Sequence, residues 1–352
     1  MSKELEEDEI SKYREAGKIA SEVMEEAKDM VEPGTRLLDI AETVEDRIEE
    51  EGGKPAFPCN ISINEKAAHY TPSEEDDTVI EDGDVVKVDL GVHINGYIAD
   101  MATTTLATKD VEDEEEELVD DEEFVDEELD DEETEEQDED EDELSDEEKE
   151  KLREEDELLR KKEDMIETVN EILEEVIDFV EPGVNIGEIG RIVEETAEKN
   201  GYNSIENLTG HNLEQYSLHG GISIPNVEKD TDVELEEGEV IAIEPFLTDG
   251  EGEVEDMQEI YIFKTVGGES VSGRMAQQTL RKIKGKYKGL PFAERWLTED
   301  LSRIRLQMTL RELVASEAIK PYYVLKEVED GIVTQAEHTM IVTEDGVEVT
   351  TR

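Results

Sequence analysis

Two hydrophobic periodicities alternate along the chain, and the alternation occurs twice. From Ile10 to Met30 apolar residues recur at helical spacing: Tyr13, Ala16, Ile19, Ala20, Val23, Met24 and Ala27. Val31-Glu32-Pro33-Gly34 stops that helix. A second helix, with Thr35 expected as its cap, carries Leu37, Ile40, Ala41, Val44 and Ile48 and ends at Gly52-Gly53. An extended stretch runs through Ala56-Phe57-Pro58-Cys59-Asn60 and on to Asn64. From Val85 to Met101 the period becomes two, on both sides of Asn95-Gly96. That dipeptide suits a two-residue turn, because both positions tolerate positive φ. The predicted hairpin pairs Ile94 with Tyr97, Gly91 with Asp100, and Asp89 with Ala102. Asp89 and Asp100 are then diagonal neighbours on one face, with Cβ atoms roughly 7 Å apart. Two carboxylates so placed repel unless water or cations relieve them, and the hairpin alone leaves both options open.

The order then recurs. A helical stretch from roughly Leu158 to Phe179 meets Val180-Glu181-Pro182-Gly183, and a short helix carries Ile186, Ile189, Val193 and Ala197 up to Asn200-Gly201. Gly238 to Glu244 (GEVIAIE) echoes Gly83 to Asp89 (GDVVKVD). The offset is 149 residues for the ValGluProGly motif and 155 for the strand. Two such units predict an internal duplication and a pseudo-two-fold α+β core. They place Asp89 and Glu244 at equivalent ends of equivalent strands.

Charge changes the picture of the surroundings. Against 34 Lys and Arg stand 103 Asp and Glu, a net charge of -69 over 352 residues. Residues 110–150 hold 30 acids and one base, with few apolar anchors, and are expected to be a disordered acidic insert. The remainder still carries -40. Such a surface repels itself in dilute buffer and is relieved in molar salt, so a salt-loving cytoplasm is expected and DNA is not an expected partner. One cysteine, Cys59, excludes an intrachain disulfide and suits a reducing compartment. The N-terminal residues show no secretory apolar region, and no apolar run approaches the ~20 residues of a membrane span. Residues 274–295 contrast, with seven bases and one acid. Contact with ribosomal RNA and local balancing of neighbouring acids are both open readings of that island.

Five histidines are present: His69, His93, His211, His219 and His338. His211 and His219 share a glycine-flanked stretch, Gly210 to Gly221, suited to close backbone approach to a ligand. Strand alternation puts Glu337 and His338 on opposite faces. His93 reads as a surface residue near the hairpin turn, and His338 as structural or as a supporting neighbour.

The order Asp89, Asp100, His211, Glu244, Glu337 resembles the five-ligand pattern of the methionine aminopeptidase and prolidase superfamily, which has the α+β "pita-bread" fold. Local sequences resemble type 2 methionine aminopeptidases more closely: AFPCN at 56–60, AAHYTP at 67–72, LTGH at 208–211, IEPF at 243–246, AEHT at 336–339, and the long segment holding LPFAERW at 290–296. The resemblance implies a catalytic domain in pieces at 1–106, 158–266 and 331–352, interrupted by the acidic insert 107–157 and by a helical subdomain at 267–330.

It also implies two divalent metal ions. Asp89 chelates one, Asp100 and Glu337 bridge both, and His211 and Glu244 complete the other. One imidazole among carboxylates favours Co, Mn, Fe or Zn. By the same resemblance, a metal-bridging hydroxide attacks the first carbonyl of a peptide whose free N-terminal amine sits on a metal. Glu244 shuttles the proton, His219 donates to the oxyanion and His69 contacts the scissile amide. Phe57 lines the methionine pocket, and Leu218 either joins it or only packs the core. The implied activity is removal of the initiator methionine from nascent chains when the second residue is small, by a cytoplasmic monomer. An Xaa-Pro peptidase and a non-catalytic binding protein of the same fold are the rivals. The surface charge carries its own test. The thermal midpoint is expected to climb steadily as KCl is raised from about 0.1 M to about 1 M, where the Debye length falls from ~10 to ~3 Å. A flat midpoint across that range rejects self-repulsion as a major destabilising factor.

Overall fold

The helical pattern near the N-terminus becomes α1 (Glu7–Asp29) and α2 (Leu37–Glu50), followed by β1 (Lys54–Ile63), β2 (Lys66–Ala68), β3 (Val85–Ile94) and β4 (Tyr97–Leu106). The computed structural model describes residues 5–109, 146–266, 271–298 and 301–352. Strands β1, β3 and β4 form an antiparallel sheet in that order. The hairpin has the expected register, with Ile94 opposite Tyr97, Gly91 opposite Asp100 and Asp89 opposite Ala102. Ala20, Met24, Ile40 and Val44 of the helices pack on Val88 and Leu90 of the sheet.

The second unit contains α3 (Asp146–Phe179), α4 (Ile186–Lys199), β5 (Asn203–Ser204), β6 (Thr209–Asn212), β7 (Ser223–Pro225), β8 (Val240–Ile243) and β9 (Phe246–Thr248). The chain continues through β10 (Val254–Thr265), α5 (Arg274–Lys286), β11 (Phe292–Ala293), a 3-10 turn (Arg295–Leu297), α6 (Arg303–Ala315) and β12 (Ile319–Glu327). It ends with β13 (Val333–Gln335), β14 (His338–Thr343) and β15 (Gly346–Val349). The second sheet has the order β15-β14-β8-β6-β7. Its helices bury Ile172, Val176, Ile189 and Val193 against Ile241 and Ile243.

The duplication is visible in the hydrogen bonds. Gly34 N donates to Ile80 O and Gly183 N to Leu235 O, both at 2.8 Å. Ile80 N donates to Thr35 O, and Leu235 N to Val184 O. Gly83 N reaches Ala107 O just as Gly238 N reaches Val342 O. Each of these four glycines has a φ between 83° and 94°, the left-handed region in which glycine costs least. One polypeptide pattern has therefore folded twice, with equivalent residues 149 or 155 positions apart.

The two sheets meet where β4 touches the approach to β14. Glu337 N donates to Ala102 O at 2.9 Å, and Asp100 N donates to Thr339 Oγ1 at 2.7 Å. Thr104 Oγ1 bonds Gln335 O at 2.6 Å. The buried Lys87 ammonium spans the same seam, donating to Asn64 O and Val333 O.

Between β10 and β12, residues of α5, β11 and α6 make their own apolar cluster, with Leu280, Ile283, Phe292, Leu306 and Leu310. A buried polar knot ties it to the first half. Arg295 pairs with Glu45 of α2, and its Nη1 donates to Thr71 Oγ1 at 2.6 Å. Trp296 Nε1 and Cys59 N also donate to Glu45.

Four expectations are corrected. The acidic insert expected over 107–157 is shorter among the described residues: Ala107 is buried and bonded to Asp84, and α3 begins at Asp146. Glu and Lys favour helix, so that acidic stretch extends α3 in advance of its apolar stripe. Residues 110–145 lie outside the described residues. Helix α1 starts at Glu7, where Glu6 N donates to Glu9 Oε2. Arg36, not Thr35, is the N-cap of α2, since the Thr35 carbonyl is held by Ile80. His93 is buried, not on the surface: its Nδ1 accepts from Gly96 N, and Tyr216 packs edge-on against its ring.

Removing one partner from a buried ion pair strands the other charge, at a cost of about 3–5 kcal/mol. Arg295→Met is expected to lower stability by that much in urea unfolding followed by the fluorescence of Trp296, the single tryptophan. The double variant Glu45→Gln/Arg295→Met is expected to recover most of the loss.

Candidate metal centre

Each acid of the site sits at a place the backbone dictates. Asp89 and Asp100 face one side of the β3–β4 hairpin. His211 is on β6 opposite Ala242 of β8, and Glu244 follows the end of β8. Glu337 is carried by the bridge to Ala102 that joins the halves. The five donors therefore arrive from both repeats and from the final strands.

All nine residues singled out in the sequence line one cavity of about 270 Å³: Phe57, His69, Asp89, Asp100, His211, Leu218, His219, Glu244 and Glu337. Its remaining wall includes Asn60, Phe246, Ile262, Pro291, Tyr322 and Gln335. Leu218 serves both readings given to it, since it also packs in the cluster of Phe57, Tyr97 and Leu213. His93 and His338 are not among the lining residues; His338 Nδ1 bonds Thr351 Oγ1 at 2.9 Å.

The donor atoms stand apart by distances that suit an ion better than direct bonding. His211 Nε2 is 3.7 Å from Asp100 Oδ2 and 3.6 Å from Glu244 Oε1, beyond good hydrogen-bond length. Donor atoms of Asp100, His211 and Glu337 lie within 4.8 Å of one another. Asp89 Oδ1, Asp100 Oδ1 and Glu337 Oε1 are buried with no hydrogen-bond partner in the protein. Buried polar atoms are rarely left so, and three carboxylate oxygens orphaned in one cavity fit a cation site.

The electrostatics agree. Burial pushes the Asp89 carboxyl up to about 7, against the pull of its hydrogen bond from Asn60. Burial raises Asp100, Glu244 and Glu337 well above the ordinary range, and repulsion from neighbouring carboxylates adds to it. Burial also drives His211 down to about 3 and His219 to about 4, with nearby cationic groups adding to it. The site thus holds carboxylates that ionise fully only beside positive charge, and imidazoles kept neutral for coordination or hydrogen bonding.

His69 adopts φ 64°, a left-handed conformation unusual for a ring side chain, and its Nδ1 donates to Tyr323 O at 3.1 Å. A carbonyl only accepts, so the Nδ1 proton is fixed and neutral His69 keeps Nε2 as an acceptor.

Supporting residues were missed by sequence reasoning. Asn60 Nδ2 donates to Asp89 Oδ2 at 2.9 Å, and Gln335 Nε2 reaches Glu244 Oε2 at 3.4 Å. Asn60 lies directly opposite Asp89, so pairing β1 with β3 was the available signal. Two register shifts in β1, between Pro55 and Phe57 and between Phe57 and Asn60, hide it from simple alternation. Gln335 and Tyr322 reach the cavity only through long-range folding and leave no local signal.

A model of metallopeptidase family M24 matches residues 11–125 and 152–344. The chain is 42% identical over 342 residues to the methionine aminopeptidase of Methanothermobacter thermautotrophicus, covering 97% of this chain and 98% of that one. A solved methionine aminopeptidase from Thermotoga maritima is similar in fold, with a TM-score of 0.64 and 20% identity over 100% of both chains. The prolidase of Pyrococcus furiosus aligns with a TM-score of 0.54 and 17% identity, over 99% of this chain and 64% of that one. At those identities the two solved structures show the fold alone, the α+β pita-bread fold common to aminopeptidases and prolidases. With a family model spanning most of its length and a relative this similar from end to end, the chain belongs to metallopeptidase family M24, alongside relatives named methionine aminopeptidase.

Proposed function

We propose that this chain is a methionyl aminopeptidase that removes the initiator methionine from new proteins when the second residue is small. The observation that carries the reading is the convergence of Asp89, Asp100, His211, Glu244 and Glu337, with orphaned carboxylate oxygens, on a cavity walled by Phe57 and Leu218. At about 270 Å³ that cavity sits just under the usual ligand-pocket range of about 300–1,000 Å³, which suits one terminal residue.

Asp89, Asp100, His211, Glu244 and Glu337 are the residues that would hold two divalent cations. The single neutral imidazole favours Mn, Fe, Co or Zn. Such cations supply Lewis acidity, acidifying a water and polarising the scissile carbonyl. The chain's own groups do the rest. Glu244, already pushed up by burial, is suited to take a proton at its carboxylate and deliver it to the leaving amine. His219 is assigned as the donor to the oxygen that gains charge. His69 Nε2 is available to accept the scissile amide N–H, and Phe57 and Leu218 hold the methionine side chain.

The partners inferred are N-termini of nascent polypeptides, met by a cytoplasmic monomer in a salt-rich cell. The surface assigned to ribosomal RNA is the basic face of α5. Arg281, Lys282, Lys284 and Lys286 supply its positive charge, against a chain that is strongly acidic as a whole. Charge reversal at Lys282, Lys284 and Lys286 is expected to abolish ribosome co-sedimentation while hydrolysis of small peptides persists.

The deciding experiment is hydrolysis of Met-Ala-Ser in molar KCl, on protein stripped of metal and given Mn²⁺, Fe²⁺, Co²⁺ or Zn²⁺ in turn. Metal-restored release of methionine with Xaa-Pro peptides untouched is expected; the opposite preference establishes a prolidase-like enzyme. Asp89→Asn is expected to abolish turnover, and Asn60→Ala to lower activity or metal affinity about 10–100-fold. Cation binding near pH 7 is expected to release protons, because the apo carboxyls are raised and must ionise to coordinate. Calorimetry in buffers of different ionisation enthalpy reads that release, and a buffer-independent heat rejects it.

A further inference from the structure

The loop that brings His219 into the cavity is held by the tip of the β3–β4 hairpin and by the inserted segment. Glu214 and Ser217 close a tight turn, with Glu214 N donating to Ser217 O at 3.0 Å and Ser217 N to Glu214 O at 2.9 Å. Tyr216 inside that turn has φ 61°, a conformation that glycine adopts freely and a bulky ring residue seldom does. A strained conformation persists only where its surroundings over-determine it.

Those surroundings come from two distant parts of the chain. Tyr216 N donates to Gly96 O at 2.8 Å, and Gln215 Nε2 donates to Asn95 O at 3.0 Å, both at the tip of the β3–β4 hairpin. The Tyr216 ring lies so close on Gly96 that a Cβ there would meet it at 2.4 Å. His93 packs against the ring with centroids 5.7 Å apart. From the segment after α5, Lys288 Nζ stands 3.5 Å from the ring centroid, a close cation–π contact. Lys288 is itself anchored, its carbonyl accepting from Thr265 Oγ1 at 2.9 Å.

Tyr216 is not among the cavity-lining residues, so it acts on the cavity through Ser217, Leu218 and His219. Ser217 Oγ donates to His219 O at 3.1 Å, and Gly220 N to Asn212 O at 2.8 Å. Leu218 is buried, and the His219 ring reaches within 4.5 Å of the His211 ring, centroid to centroid.

We propose that Tyr216 is a positioning residue for His219, clasped between the hairpin tip at Gly96 and Lys288 of the inserted segment. The clasp joins three parts of the chain at the rim of one cavity. This inference rests on the role assigned to His219 in the proposed reaction.

The test uses the zinc-loaded full chain with Tyr216→Gly, Tyr216→Phe and Lys288→Met. Tyr216→Gly keeps the backbone conformation and removes the ring, while Tyr216→Phe keeps the ring. With only five histidines, ring-labelled protein resolves a His211–His219 nuclear Overhauser contact. That contact is expected in wild type and Tyr216→Phe, and is expected to be lost in Tyr216→Gly and weakened in Lys288→Met. For Met-Ala-Ser hydrolysis, Tyr216→Gly is expected to lower kcat about 10–100-fold, as misplacement of a reacting group by about an ångström does. The same change in a His219→Asn background is expected to cost less than about two-fold, because groups acting as one unit are not additive. A retained ring contact in Tyr216→Gly overturns the proposal, and so does an equal loss of kcat in both backgrounds. Wild-type protein that releases no methionine defeats the enzymatic reading instead, and the ring contact still decides the clasp.

Discussion

Four carboxylates, those of Asp89, Asp100, Glu244 and Glu337, meet around one cavity, where they repel one another and have few hydrogen-bond donors. Burying like charges together is among the most unfavourable arrangements a fold can hold. It persists here because the chain is pinned on both sides of the site. Backbone bonds between Ala102 and Glu337, and the Thr339 hydroxyl on Asp100, fix the acids in place whatever their charge state. Protons in the apo state and divalent cations in the holo state are the two ways to relieve the repulsion. The fit of the site to a cation follows from that constraint rather than from any single residue.

The duplicated architecture explains how the acids come to converge. Each half contributes two helices packed on one face of its sheet and a strand that carries an acid, Asp89 in the middle of β3 rather than at the expected strand end, and Glu244 just after β8. Folding the same pattern twice brings both acids to one cavity. The halves are not symmetric in what they add. The first supplies a long hairpin with two acids on one face, whereas the second supplies His211 from the neighbouring strand β6. The asymmetry turns a cluster of like charges into a mixed nitrogen and oxygen set.

The inserted helical segment has a core of its own and meets the catalytic part through polar and aromatic contacts. Arg295 reaches Glu45 inside a buried knot, Lys288 lies on Tyr216, and Pro291 forms part of the cavity wall. The overall charge of -69 sits elsewhere, on exposed helix faces and in the acidic stretch after β4. Screening by salt acts on those surface acids more than on the four acids of the cavity, because buried charges are screened less.

Local periodicity in the sequence was enough to determine the helices of the two repeated units, the β3–β4 hairpin register and the duplication, because each rests on contacts within a few residues or on an exact repeat; α5 and α6 were expected only through the family resemblance. The four acids and the histidine that line the cavity were legible through the order of their motifs. Asn60, Gln335 and Tyr322 were not, since β-bulges in β1 and the return of β12 and β13 bring them to the cavity from remote positions. His93 read as a surface residue because nothing near it in the chain covers it; Tyr216, 123 positions later, does. Periodicity reports which face of an element is apolar. Only the tertiary structure decides what that face meets, because burial of a polar group depends on partners that the local chain does not contain.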